Sequence, residues 1–206
     1  MKISDIINRE EFIISDVSSE IEFDKLTTDL NQVSKEDILI IPNSKKYDGI
    51  ITPSNTPIAV ICDKNAILPQ NIHRILVENS RLATANAYCR FERFTPEGMK
   101  IIGVTGTNGK TTTASLIKNI LSDVGYKTGF IGTGKISIGD EIIYEPNYSM
   151  TTPDPPLLYR TLKQMQMQGC DAVVMEVSSH ALALEKVAPL TFDKPFAGTH
   201  RFSRGY

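Results

Sequence analysis

Short apolar runs separated by polar turns organise the first part of the chain. Ile38, Leu39, Ile40 and Ile41, lying between Asp37 and Pro42, and the segment Ile58 to Cys62 read as short buried strands, each bounded by Pro, Asn or Asp. Between Asn71 and Tyr88, the residues Ile72, Ile75, Leu76, Leu82 and Ala83 recur at roughly helical spacing and predict a helix. Arg93, Pro96, Glu97 and Gly98 then interrupt the periodicity. That break places a domain boundary near residue 97 and defines a small α/β domain over residues 1–97.

The second region repeats the alternation with longer elements. Met99 to Thr105 reads as a strand and Thr111 to Val124 as a helix, with Ile117, Ile120, Leu121 and Val124 on one face and Gly125 where a helix stop belongs. A strand at Lys127 to Ile131 follows, then a hairpin at Lys135 to Tyr144 turning at Gly139-Asp140. Asp154-Pro155-Pro156 offers an N-cap followed by proline at the first helical position. Leu158, Leu162 and Met165 carry that helix to a stop at Gly169. Asp171 to Met175 is the next buried strand and ends on Glu176. Strands alternating with helices imply a parallel, doubly wound sheet, so the fold class is α/β.

Composition narrows the setting without naming a chemistry. The chain has 206 residues, 41% apolar and 22% charged, with a net charge of -2, which suits a soluble chain and gives no basic excess for a nucleic-acid partner. The N-terminus reaches Arg9-Glu10-Glu11 before any long apolar core, so no signal peptide is expected, and no run approaches a membrane span. Cys62, Cys89 and Cys170 are odd in number and lack metal-ligand spacing, as free thiols in a reducing compartment would be. A cytoplasmic location is the expectation, and nothing marks a protein partner.

Chemistry concentrates after the third strand. Ile101-Ile102-Gly103-Val104-Thr105-Gly106-Thr107-Asn108-Gly109-Lys110-Thr111-Thr112-Thr113 joins an apolar strand, a Gly-rich turn and a helix start. Two glycines three residues apart turn successive backbone N–H groups toward an anion, Lys110 reaches outer phosphates, and the Thr111 hydroxyl suits a magnesium ion. The strict G-x-x-x-x-G-K-[ST] spacing is missed by one residue, because Gly103 comes one position early. ATP and Mg2+ are the expected ligands, with Gly106, Thr107, Asn108, Gly109, Lys110, Thr111 and Thr112 as the nucleotide contacts. Glu176, at the carboxyl end of a buried strand, is placed to share the metal with Thr111, and Lys110 and Glu176 are the candidate catalytic residues.

The octapeptide Thr105 to Thr112 resembles the Mur ligase superfamily. Thr151-Thr152-Pro153 and Glu176-Val177-Ser178-Ser179-His180 are similar to its MurE type, and the resemblance covers about residues 20 to 193. It implies an ATP-dependent amide ligase of peptidoglycan precursor synthesis. Such an enzyme joins a diamino acid, meso-diaminopimelate or lysine, to UDP-N-acetylmuramoyl-L-alanyl-D-glutamate through an acyl phosphate. It also implies substrate contacts at Thr151, Thr152, Ser178 and Lys186 and, in the first domain, at Thr28 and Leu30. Lys186 stands where arginine is usual, giving a point charge instead of a two-pronged fork. Where the family usually carries Asp-Ser-Arg, this chain reads Asp29-Leu30-Asn31, and Lys45-Lys46-Tyr47-Asp48-Gly49 occupies the place of the uridine-contacting loop. His180 alone reads as a loop or packing histidine.

Residues 98–193 therefore correspond to part of a P-loop, parallel-sheet ATPase domain, and residues 194–206 to an atypical tail. Family members continue with an Asp-His-Leu-Asp-x-His-type segment and a carbamylated lysine for a second magnesium, neither of which is found here. The stretch from Asp193 to Tyr206 is basic, aromatic and aperiodic, and His200 does not supply the missing ligand. A reading-frame change or an incomplete gene is expected, leaving the 206-residue chain inactive alone and its sheet edges uncovered. Two other functions compete with the ligase: a non-catalytic nucleotide- or UDP-sugar-binding fragment, and a ligase like the folylpolyglutamate synthetases. Ser178-Ser179-His180 and Thr151-Thr152-Pro153 disfavour the latter.

Overall fold

A computed structural model describes residues 1–43, 56–145 and 150–197. The chain divides into two compact units, Met1–Arg93 and Phe94–Tyr206. Among the described residues no helix is long and apolar enough to cross a membrane.

The first unit is built on a five-stranded sheet. Its strands are β1 (Phe12–Ser15), β2 (Leu26–Thr27), β3 (Ile38–Ile40), β4 (Ala59–Cys62) and β5 (Arg74–Val77), arranged β1-β5-β4-β3-β2. β2 to β5 run parallel and β1 pairs antiparallel with β5 at the edge. Every residue of β3 and β4 is buried, the pattern of parallel strands covered on both faces. Val33, Leu39, Ile41, Val60, Cys62 and Ile72 form a core beneath them.

The helix predicted from Asn71 splits in two. Residues 74–77 are strand β5, with Ile75 and Val77 buried and their neighbours half-buried, a period of two that outweighs the looser helical spacing. The helix α1 (Ser80–Phe91) starts only after Asn79, whose Oδ1 accepts from Arg81 N at 3.1 Å and Leu82 N at 3.2 Å.

The second unit holds a six-stranded sheet. Its elements are β6 (Lys100–Thr105), α2 (Lys110–Asp123), β7 (Thr128–Gly132), β8 (Lys135–Ile138), β9 (Glu141–Tyr144), α3 (Pro155–Met167), β10 (Ala172–Glu176), α4 (Ser179–Ala183) and β11 (Lys194–Ala197). The order β11-β6-β10-β7-β8-β9 makes the first four parallel and adds the predicted hairpin antiparallel on one side. Residues 194–197, part of the expected tail, are instead a strand, with Lys194 opposite Ile102. Ile101 N donates to Asp193 Oδ2 at 2.9 Å beside it.

Alternation along the strands assigns the faces. Ile102, Val104, Phe130 and Val174 point to α2, which meets them through Ala114, Ile117 and Leu121. Ile120 and Val124, expected on that same face, are instead 53% and 67% exposed, because Ala114, Ile117 and Leu121 already span the contact at spacings of three and four. α3 serves the other face. Its Met165 lies so close to Gly129 that a Cβ there would sit 2.6 Å from Sδ. Asp154 occupies the N-cap position of α3 without a side-chain capping bond; its carboxylate goes to Lys186.

Candidate functional site

From β6 the chain crosses through α2 to β7, whereas from β10 it crosses the opposite way to β11, so the neighbours β6 and β10 diverge at their carboxyl ends. Such a reversal opens a crevice where open α/β sheets bind ligands. The loop 106–109 leaves β6 there, and Glu176 ends β10 there.

The loop's conformation depends on its glycines. Gly106 has φ 148° and Gly109, the N-cap of α2, has φ 78°, a left-handed backbone that a side chain would strain. No side chain caps α2, so the first N–H groups of a 14-residue helix point into the loop with the positive end of its dipole behind them. Lys110 Nζ folds back to Gly106 O at 2.8 Å and Thr107 O at 3.3 Å, which holds its charge over the same cup.

Glu176 is fully buried, and among the described residues every hydrogen-bond partner of its carboxylate is a threonine. Thr111 Oγ1 donates to Oε2 at 3.0 Å, Thr133 N to Oε1 at 2.9 Å, and Thr133 Oγ1 to Oε2 at 3.3 Å. Thr111 itself is exposed at the start of α2, so the pair reaches from the sheet to the mouth of the loop. Gly132 permits the approach: a Cβ on it would meet Glu176 Oε1 at 2.4 Å.

The threonine pair joins the same cluster. Thr151 Oγ1 lies 3.0 Å from Thr133 Oγ1. Thr152, which is buried, donates from Oγ1 to Glu176 O at 3.0 Å and accepts from Ser178 N at 3.1 Å, tying the end of β10 to the following turn. Ser178 uses its own hydroxyl as N-cap of α4, accepting from Ala181 N. Lys186 is held from two sides: Tyr159 Oη donates to its carbonyl at 3.0 Å, and its Nζ pairs with Asp154 Oδ1 at 2.7 Å. His180 is exposed.

In the first unit, Thr28 is half-buried in the bend after β2. Leu30 starts a one-turn 3-10 helix capped by Asp29 Oδ1 and packs against the core around Leu39 and Val60. Lys45, Lys46 and His200 lie outside the described residues. The structure thus gathers Lys110, Thr111, Thr151, Thr152, Ser178 and Glu176 around one crevice. Thr133 belongs there too and escaped the sequence reading, although Gly132-Thr133-Gly134, two glycines around a hydroxyl at the end of a buried strand, carried the signal.

Residues present at the crevice suit a nucleotide polyphosphate with magnesium. Helix N–H groups and a lysine serve the anion, while one hydroxyl and one carboxylate form the kind of sparse oxygen set that magnesium completes with phosphate and water. Among the described residues no group of three or more His, Cys, Asp or Glu side chains could hold a metal by itself.

Residues 104–195 match the family model of the Mur ligase middle domain. The chain is 34% identical over 201 residues to the UDP-N-acetylmuramoyl-L-alanyl-D-glutamate--2,6-diaminopimelate ligase of Clostridium tetani (strain Massachusetts / E88), covering 94% of this chain and 41% of that protein. The protein of the same name from Chlorobium phaeobacteroides (strain DSM 266 / SMG 266 / 2430) is 42% identical over 136 residues, 65% of this chain and 26% of that one. A solved structure of a ligase with this name superposes with a TM-score of 0.71 at 19% identity, over 100% of this chain and 42% of its own, a likeness of fold. The chain spans about two-fifths of the length of relatives matched from end to end.

Proposed function

This chain belongs to the Mur ligase family, carrying its middle domain, and from that premise we propose that it serves an ATP-dependent amide ligation of peptidoglycan precursor synthesis in the cytoplasm. The substrates are UDP-N-acetylmuramoyl-L-alanyl-D-glutamate and a diamino acid of the 2,6-diaminopimelate kind, as the relatives' names describe for those proteins. The observation that carries this reading is the Thr111–Glu176 pair, 3.0 Å apart at the mouth of the loop. A buried carboxylate on the next strand, joined to the first hydroxyl of a phosphate-loop helix, is an arrangement for triphosphate chemistry.

Amide formation from a carboxylate needs an activated acyl group. The substrate carboxylate takes the γ-phosphoryl group of ATP, releasing ADP, and the amine of the diamino acid then displaces phosphate. In the first step the loop N–H groups from Gly106 to Thr112 hold the phosphates in line, and Lys110 moves from the Gly106 and Thr107 carbonyls onto the outer phosphate oxygens. Thr111 and Glu176 would hold magnesium, which when bound neutralises charge on the phosphates. Thr133 fixes the orientation of the buried Glu176 carboxylate by donating two hydrogen bonds to it. Thr151, Ser178 and Lys186 face the UDP-sugar peptide, with Lys186 exchanging Asp154 for a substrate anion. Thr28 and Leu30 serve the nucleoside end.

Calorimetric titration of the full chain with magnesium-ATP tests the reading. Lys110→Ala should weaken binding by at least about tenfold, since a charged hydrogen bond contributes about 1.5–3 kcal/mol. Equal affinity in the variant and the parent would sink the phosphate-loop assignment. ADP release that requires both the UDP-sugar dipeptide and a diamino acid is the matching assay for the ligation.

A further inference from the structure

A polar cavity of about 210 Å³ lies between α2 and the β8–β9 hairpin, apart from the phosphate loop. Ser115, Lys118 and Asn119 line it from the helix, Lys135 and Ser137 from β8, and Asp140 from the hairpin turn, with the Phe130 ring beneath.

Ser137 is 2% exposed, yet its hydroxyl has no hydrogen-bond partner among the described residues, while the side chain lines the cavity. A buried hydroxyl is costly to leave unpaired, so an unused one aimed into a cavity points to something that occupies it. The β8–β9 pairing slips between Ile136 and Ser137, the kind of bulge that re-aims a side chain.

Charge selects what that occupant is. The Lys118 side chain is only 13% exposed, and its ammonium has three donors, of which one goes to Asp140 Oδ1 at 2.9 Å. Lys135 Nζ stands 5.8 Å from the centre of the Phe130 ring and has no carboxylate within ion-pair distance among the described residues. Two lysines face one aspartate, and that aspartate is fully exposed and free to swing out. Ser115, Asn119 and Ser137 add neutral donors. Size then excludes a whole nucleotide, because pockets for such ligands run from about 300 to 1,000 Å³.

We propose that this cavity binds a small tetrahedral oxyanion of the phosphate class, held by Lys118, Lys135 and Ser137. The site is distinct from the phosphate loop and does not rest on the ligase reading. It shares helix α2 with Thr111, so an occupied cavity braces the helix that presents the loop. The anion is either free phosphate or the phosphoryl end of a larger molecule entering from the open side.

Titrating the full chain calorimetrically with inorganic phosphate, and in parallel with a sugar monophosphate, separates those sources. Sodium chloride at matched ionic strength controls for screening. Phosphate should still bind Lys110→Ala, in which the phosphate loop is weakened, and in that background Lys135→Gln and Ser137→Ala should each weaken it by about tenfold. Lys135 is exposed, so Lys135→Gln remains informative even if Ser137→Ala disturbs folding. A sugar monophosphate that binds with the same variant pattern identifies the phosphoryl end of a larger molecule. The proposal fails if phosphate binding vanishes in Lys110→Ala while surviving Lys135→Gln. It fails equally if chloride reproduces the effect or neither phosphate probe binds.

Discussion

A carboxylate shut away from water needs donors around it, and among the described residues Glu176 finds them in Thr111 and Thr133. That dependence makes Gly132 the sensitive neighbour. A Cβ there would lie 2.4 Å from Glu176 Oε1 and 2.6 Å from the buried Phe130 ring, so both side chains would have to shift. Gly132→Ala should therefore cost about 1–3 kcal/mol of stability, as overpacked cores do, read from urea unfolding. The same variant should weaken the magnesium dependence of ATP binding, because Glu176 must turn from Thr111. A variant as stable as the parent, with the same magnesium dependence, would contradict the role given to that close approach. Lys110 and Thr111 were legible in the sequence because strand, loop and helix place them by local spacing, and Glu176 because an acid ending an apolar strand falls at the carboxyl edge of a parallel sheet. Thr133 was not, since only the pairing of β7 beside β10 brings it to the carboxylate.

At the scale of elements, residues 72–76 show how a pattern misleads. Ile72, Ile75 and Leu76 fit a helical repeat, but Ile75 and Leu76 lie in β5, on opposite faces of a strand that neighbours β4 and β1. Sequence spacing could not reveal those neighbours. β1, with Ile13 and Ile14 exposed, carries no clear apolar alternation and was unreadable for the same reason. The segment before β1 buries Ile3, Ile6 and Ile7 and adds a polar anchor to them. Glu11 accepts from Arg90 Nη2 at 3.0 Å and Asn86 Nδ2 at 2.7 Å on α1, from Asn8 N at 2.7 Å, and pairs closely with Arg90 Nη1. Burial opposes the charge on Glu11, but the hydrogen bonds and charge from Arg90, Asn8 and Asn86 outweigh it and hold the carboxyl below its ordinary value. Because the folded value is depressed, the stabilisation is complete above the unfolded pKa of about 4.3 and fades as pH falls through the folded one. Glu11→Gln should lower stability at pH 7 by about 1–3 kcal/mol, and the gap from the parent should close below about pH 4. Circular dichroism during urea unfolding at both pH values reads it, and an equal gap at both would show that charge plays no part.

At the scale of the molecule, two units each carry one deeply buried thiol, Cys62 in the first and Cys170 in the second. The sequence marked both as free, and their inertness follows from packing that only the folded chain supplies. Burial among Val33, Leu39, Ile41, Val60 and Ile72 pushes the Cys62 thiol up to about 11, and burial also raises that of Cys170. Only the thiolate attacks a disulfide reagent, so at pH 8 about one Cys62 in a thousand would be competent even if the reagent reached it. The reagent does not reach it while the unit is closed, since the residue is 0% exposed. Labelling at each cysteine therefore reports the opening of its own unit. With an aromatic disulfide reagent and peptide mass spectrometry, Cys62 and Cys170 should stay unmodified in native buffer and react in step with urea unfolding of Met1–Arg93 and Phe94–Tyr206 respectively. Cys62 labelling in buffer at its rate in urea would mean that the core around β3 and β4 is open in solution, against the complete burial of both strands.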